Sequence, residues 1–498
     1  VVSLAVLLLI GVVGAINSWS PKRTPTAPSA AIKSIAVLPF KPLAPNSRDE
    51  ALELGMADTL ITKLSNLRQL IVRPTSAVRR YTALDQDPLA AGREQRVDAV
   101  LESSMQLSGE KIRVTVRLYD VRDGKPLWGY ECEEYCADIF AAQDAISQKV
   151  AEALALELSP VERKRLAKHY TDNLEVYQLY VKGQYFRLKL TEDGLRRSLE
   201  YFNLAIEKDP NYALAYSGLA ASYGMMLYWG YIPRQEGFAK YKTAVMKAFE
   251  LDDLLVEAHG RLGAFKAQLE LEWDWEGGER AYKRALEINP NYPETHHLYA
   301  NYYAIMGRFD EAIASRRRAL QLDPLSLRSN WRLGADLLAN RQYREAIEQY
   351  RHTIELDPSF PLAYSGTAED GGLGLALELA GRHEEAIAAH LKAASLSGEP
   401  AEVVKALREA YQAKGMRGYW QKKLEFLKKR SERQDALLFD IAVICARLGD
   451  KEQAFAWLEK AYQERDPSVV HIKNVPELDI LRSDPRYADL LRRMRLPL

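Results

Sequence analysis

The feature that most constrains this chain is a helix-ending signature that returns at a fixed distance. It reads Ala285-Leu-Glu-Ile-Asn-Pro290, Ala319-Leu-Gln-Leu-Asp-Pro324 and Thr353-Ile-Glu-Leu-Asp-Pro358, with successive prolines 34 residues apart. An earlier copy, Ala205-Ile-Glu-Lys-Asp-Pro210, stands 80 residues before Pro290, and Ala248-Phe-Glu-Leu-Asp252 supplies an intermediate end without its proline. Proline stops a helix because it lacks an N–H and its ring clashes with the preceding turn. Interior positions recur in step. Ala300, Tyr303, Gly307, Ala312 and Ala319 lead up to Pro324, and Gly334, Leu337, Ala346 and Thr353 lead up to Pro358. Phe202, Tyr282 and Tyr350 each stand eight residues before their proline. Small residues let paired helices approach closely, whereas unrelated amphipathic helices would share neither the spacing nor the interior pattern. Such a unit cannot bury its apolar face alone, so units must stack into one continuous core with a concave groove.

This period and pattern resemble the tetratricopeptide repeat (TPR). The resemblance implies antiparallel helix pairs in a superhelical solenoid that holds another protein. The array is expected over residues 174–480 as about seven units, with a capping segment at 481–498. Later units are degenerate: Gly366 to Gly374 reads as an insertion, while Ala386 to Ala393, Ala406 to Met416 and Phe439 to Tyr462 retain helical units. A groove should be lined by first-helix residues that face away from the partner helix. His297, Asn301, Arg328 and Trp331 are the candidates in the two cleanest units. Asn301 and Arg328 could receive a peptide carboxylate, with Trp331 as an apolar anchor.

Residues 1–19 open with an uncharged run, VVSLAVLLLIGVVGAI, and read as a transmembrane helix truncated at its N-terminus. A linker rich in Pro, Ser and Thr follows at 20–31. An α/β domain is expected over 32–160. Its strands are Ser34 to Phe40, Leu70 to Pro74, Ala99 to Leu107, Ile112 to Asp120 and Pro126 to Cys132, with helices at Glu50 to Leu67 and Ala137 to Leu158. In the fourth strand Ile112, Val114, Val116 and Leu118 alternate with Arg113, Thr115, Arg117 and Tyr119, which predicts one buried face and one wet face. The segments IAVLPF, GMADTLITKL, KIRVTVRLYDVRDGKPLW and DIFAAQDAIS resemble the N-terminal domain of TolB and the FlgO-type domain. That likeness implies a non-catalytic envelope-associated module. The fold class is therefore α+β overall, a small α/β domain followed by an all-α solenoid.

The whole order resembles bacterial proteins in which a winged-helix regulator or a Ser/Thr kinase precedes a membrane helix, a TolB-like domain and a TPR array. The resemblance implies a protein-binding sensor region of a membrane-anchored regulator, single-pass in the inner membrane with its bulk outside the cytoplasm. The alternatives are the outer part of a transmembrane kinase and an envelope scaffold.

Lys plus Arg and Asp plus Glu both number 68, so no basic excess points to nucleic acid. No Walker, zinc-protease, Gly-x-Ser-x-Gly or kinase His-Arg-Asp motif is present, so neither a catalytic residue nor a cofactor is expected. His383 and His390 are seven apart rather than the four a zinc helix needs, and no metal is expected from them. Cys132 and Cys136 read as thiols that an oxidising compartment could join, and Cys445 as a small core residue. Trp273 and Trp275 read as packing residues.

Overall fold

The computed structural model describes residues 32–498 apart from 44–47, 109–110, 136–138, 169, 190, 229–230, 270–272, 366–370 and 432–437. The apolar run at 1–19, the linker at 20–31 and Cys136 lie outside the described residues. So does part of the expected insertion at 366–374.

Alternating apolar residues gather the first strands into a mixed sheet. Strand β1 (Ser34–Val37) is followed by the two-residue β2 (Lys41–Pro42), β3 (Ile71–Val72), β4 (Ala99–Ser108), β5 (Lys111–Asp120) and β6 (Pro126–Tyr135). Their spatial order is β3-β1-β4-β5-β6, with β2 alongside β4. β1 runs parallel to β3 and β4, while β4, β5 and β6 form an antiparallel meander. The period-two expectation for β5 holds: Ile112, Val114, Val116 and Leu118 are buried, and Arg113 and Arg117 are exposed. Helix α1 (Glu50–Ser65) packs against β1 and β3, and α2 (Ile139–Ala153) packs against β5 and β6. Asp49 caps α1 by accepting from the Leu52 N–H, and a Ser159/Glu162 capping box starts α3 (Pro160–Leu166).

Antiparallel helix pairs follow. They are α4 (Leu174–Arg187) with α5 (Glu192–Lys208), α6 (Ala213–Tyr228) with α7 (Arg234–Leu251), and α8 (Val256–Ala264) with α9 (Trp275–Ile288). Next come α10 (Pro293–Ile305) with α11 (Phe309–Leu322), α12 (Leu327–Ala339) with α13 (Tyr343–Leu356), and α14 (Leu373–Leu379) with α15 (His383–Leu396). A long helix, α16 (Ala401–Ser431), folds back at Lys414 and Gly415, where Gly415 takes φ +61°. A last pair, α17 (Leu438–Arg447) and α18 (Lys451–Gln463), precedes 3₁₀ turns at Pro467–Lys473 and Pro476–Leu481 and then α19 (Pro485–Arg493).

The repeated signature has a direct structural reason. At each end the N–H of the polar cap residue donates to the carbonyl four residues earlier: Asp209 to Ala205, Asp252 to Ala248, Asn289 to Ala285, Asp323 to Ala319 and Asp357 to Thr353. Those acceptor residues are all buried, so small side chains are required there. The rings of Phe202, Tyr282 and Tyr350 lie against glycines of the facing first helix. A Cβ at Gly183, Gly263 or Gly334 would come within 2.7 Å of the ring, too close for any larger residue.

The sheet domain and the segment that follows α3 are fastened along the edge of the array that carries these helix ends. Thr171 Oγ1 donates to Asp209 (2.9 Å) and Lys168 Nζ pairs with Asp252 (2.7 Å). Asn289 Nδ2 donates to the Ser65 carbonyl (2.8 Å), and Ser76 Oγ donates to Asp323 (3.2 Å). Four consecutive cap positions are thus engaged from the N-terminal side. The buried Arg73 adds bonds to the Gln321 and Leu322 carbonyls, both 2.7 Å. On the inner side Tyr177 of α4 inserts its hydroxyl between Thr59 (2.9 Å), Gln143 (2.8 Å) and the Gly55 carbonyl (3.2 Å). One apolar core accordingly runs without a break from the sheet into α8.

Among the described residues no helix is long and apolar enough to cross a membrane. This overturns the expected placement as a single-pass inner-membrane protein. That placement rested on an apolar run outside the described residues.

Candidate partner-binding groove

The first helices of successive units stand side by side, α8 against α10 and α10 against α12, and in a stacked repeat array that side is the concave one. Eight residues before Pro324, where the neighbouring units carry Tyr282 and Tyr350, this unit carries Arg316. Arg316 has no exposed surface. A buried guanidinium is costly unless every donor is engaged, and here the surrounding helices supply the acceptors. Nε donates to Asp336 (2.9 Å), Nη2 to Asn301 Oδ1 (2.7 Å), and Nη1 to both Nδ1 and the carbonyl of His297 (2.9 Å each). Ser329 Oγ also lies 3.0 Å from His297 Nδ1, so the imidazole carries its proton on Nε2. Burial, with Arg328, Arg316 and Arg332 nearby, holds His297 well below the usual histidine range, and the ring is neutral. Burial likewise pulls Arg316 down and pushes Asp336 up, each against the attraction of the other.

The hub opens onto the concave side. Asn301 and Ala304 of α10 and Arg332, Ala335, Asp336 and Ala339 of α12 line a small cavity, closed on its far side by His471 and Asn474 from the C-terminal 3₁₀ turns. Burial, and secondarily Arg332, push His471 down to about 3. At the rim Arg328 pairs with Glu294 across the two units. Burial alone would raise Glu294, but Arg328, and after it Arg261 and Arg187, hold it below the usual carboxylate range.

Of the four residues expected in the groove, two are placed elsewhere. His297 and Trp331, at 3% and 1% exposure, lie in the interior. Neighbouring first helices cover both flanks of each first helix, which leaves only a narrow strip facing the groove. His297 is a ligand of the hub, and Trp331 meets Phe360 edge-on at 6.0 Å. Asn301 is half-buried beside the cavity and Arg328 is exposed, each engaged by a neighbour. Arg316, Arg332 and Asp336 were missed by sequence reasoning, although Arg316 broke the aromatic pattern in plain sight.

The remaining candidates are structural. His390 is buried, 3.6 Å from Glu378 (too long for a hydrogen bond), and stacks on Tyr419 at 5.3 Å. Trp275 donates to the Met494 carbonyl (2.9 Å), Trp273 tilts against Tyr462, and Cys445 is buried in the same cluster.

Comparisons with known proteins match separate stretches of the chain. Residues 31–135 match the HilA/YgeH-like transcriptional regulator, second domain, a description different from the TolB and FlgO likeness read in the sequence. Residues 281–314, 332–400 and 436–465 match tetratricopeptide repeats. The chain is similar to the transcriptional regulator HilA of Salmonella typhimurium, 21% identical over 306 residues that make up 60% of this chain and 53% of that protein. It is also similar to putative adenylate cyclase 3 of Rhizobium meliloti, 27% identical over 213 residues, 41% of this chain and 36% of that one. The matched stretches thus span between about a third and about half of these relatives. Among solved structures, MamA matches at 23% identity and TM-score 0.28, covering 34% of this chain and 93% of its own. The TPR protein YrrB matches at 18% identity and TM-score 0.27, covering 42% and 97%.

Proposed function

We propose that this chain is the non-catalytic, protein-binding region of a transcriptional regulator, and that the concave wall around Arg316 receives a segment of a partner protein. The observation that carries this reading is the replacement of the packing aromatic at position 316 by a fully buried arginine. Packing alone does not call for a charge there. What the charge does is hold Asn301 and Asp336 in place at the groove surface, beside Arg332. The TPR matches and the HilA-like second domain support a regulator whose array binds protein rather than substrate. The partner segment meets Asn301 and Arg328 through a carboxylate or amide group, and the sheet domain braces the array along the edge that carries its helix ends.

A photo-cross-linking residue at Arg328, on the concave wall, is compared with one at Arg344, which is 89% exposed on a second helix. A partner captured from position 328 and not from 344, and lost in Asn301→Ala, is the expected result. The same species from both positions, or none from 328, removes the proposal.

The relative named as an adenylate cyclase favours a second reading, in which the array serves the regulatory part of a nucleotide cyclase. Any coding sequence upstream of Val1 separates the two: a DNA-binding domain supports the first and a cyclase domain the second.

A further inference from the structure

Two arginines near the junction of the array and the sheet domain have no ion-pair partner. Arg187 ends α4, the helix that packs on α1, and Arg261 stands on α8 at the place that Arg332 takes on α12. Arg187 donates through Nε to Gln184 Oε1 of its own helix (2.8 Å), and Arg261 reaches only the Glu257 carbonyl one turn back (3.4 Å). Among the described residues neither makes an ion pair with a carboxylate. They are nevertheless close enough to repel. Burial lowers Arg187 from the usual arginine range, and the charge of Arg261 lowers it further against the pull of Asp58.

Tyr292, the residue at the start of α10, belongs to the same cluster. It lies within electrostatic range of Glu257, Arg261, Glu294 and Arg187, and its hydroxyl has no hydrogen-bond partner among the described residues. The carboxylates around it do not close the gap. Asp58 accepts from Thr75, Glu294 pairs with Arg328, and the Glu257 side chain bonds only its own N–H. Arg187, Glu257, Arg261 and Tyr292 are each half-buried, so protein crowds them while solvent still reaches them. A guanidinium held away from bulk water with no counter-ion is costly, and two that repel one another cost more. An oxyanion between them would give both forks an acceptor, with the phenol as a further donor.

We infer that Arg187 and Arg261, with the Tyr292 hydroxyl, form a site for an oxyanion, a carboxylate or phosphate group, beside the Glu294–Arg328 pair. The oxyanion is either a free ion or a group carried by the segment that the groove receives. Only the second source rests on the reading of the groove as a partner site. Glu257 stands next to the site and opposes the charge of its ligand.

The test uses the full chain, with inorganic phosphate as the probe at constant ionic strength. Phenylglyoxal modifies accessible arginines, and peptide mass spectrometry reads the rate at each one. Phosphate should slow modification of Arg187 and Arg261 several-fold and leave the exposed Arg344 unchanged. Glu257→Gln should bring the half-protecting phosphate concentration down about threefold, the scale of removing one like charge from a half-buried site. Arg261→Gln should abolish the phosphate effect at Arg187 while α8 keeps its hydrogen-exchange protection, and Arg261→Lys should retain part of it. No protection at Arg187 and Arg261, or equal protection at Arg344, overturns the inference. So does a half-protecting concentration that Glu257→Gln leaves where it was. Partner capture from position 328 that is lost in Arg261→Gln assigns the oxyanion to the partner segment. Capture that persists in that variant, with the wild type still protected by phosphate, assigns it to a free ion. Failure of capture from 328 in the wild type, with protection present, would remove the partner reading and leave the oxyanion site standing.

Discussion

A single position, 316, separates the central unit from its neighbours. Tyr282 and Tyr350 fill the equivalent space with a ring against glycine, whereas Arg316 fills it with a cation whose partners come from α10 and α12. Arg316→Ala would take from the buried Asp336 its hydrogen-bonded cation, leaving only the attraction of Arg332, a loss of about 3–5 kcal/mol. Urea midpoints measure it. Arg316→Tyr combined with Asp336→Leu should recover most of that loss, since packed apolar residues often replace a buried ion pair without net cost. Partner capture from position 328 should still fail in the double variant, because Asn301 has lost its donor. A double variant as unstable as Arg316→Ala would show that the site cannot repack and that the arginine is structural alone.

At the scale of elements, the repeated cap residue does two jobs. Its N–H closes the helix, and its side chain presents a polar group along one edge, which the sheet domain engages at Asn289 and Asp323 and the connecting segment after α3 engages at Asp209 and Asp252. Arg73→Met should loosen that seam by about 2 kcal/mol, the value of hydrogen bonds made by a buried charge. Faster proteolysis between 160 and 174 with an unchanged array would report it. On the inner side α1 rests on α4 at Gly55, where a Cβ would collide with Val181. Gly55→Val should cost about 1–3 kcal/mol through overpacking, and Val181→Ala should recover part of it. No rescue by Val181→Ala would place the strain elsewhere.

Across the whole molecule, the buried titratable groups oppose one another. Burial first, and then Arg332 for His471, lowers His471 to about 3, and burial lowers His390 to about 4, so both stay neutral when folded. The unfolded chain takes up their protons below about pH 6.5, so stability falls from there down to those folded values. By pH 5 each costs about 2 kcal/mol. Asp323 behaves oppositely: burial raises it to about 6 against the pull of Ser76 and Arg73. Its contribution is present at low pH and is lost as pH rises toward 6, which returns about 1 kcal/mol at pH 5. Net stability should therefore fall between pH 7 and pH 5, and His471→Gln with His390→Gln should flatten the slope. Hydrogen exchange should show the C-terminal turns loosening on acidification while the seam at Asp323 tightens. A seam that loosened in step with those turns would contradict these assignments.

Much of this was legible in the sequence, because helix ends, small crossing residues and period-two strands are written into local spacing. The 34-residue interval, the alternation in β5 and the cap residues each follow from covalent geometry and short-range burial. What faces the groove does not. Which strip of a first helix stays open depends on how its neighbours stack, and that stacking drew His297 and Trp331 inward. Arg316 was visible as a break in pattern, but its partner Asp336 lies on the next unit, and only the superhelix brings them together. The tertiary structure alone brought residues 467–481 back against α10, because closing that long loop is rewarded only by contacts between distant segments.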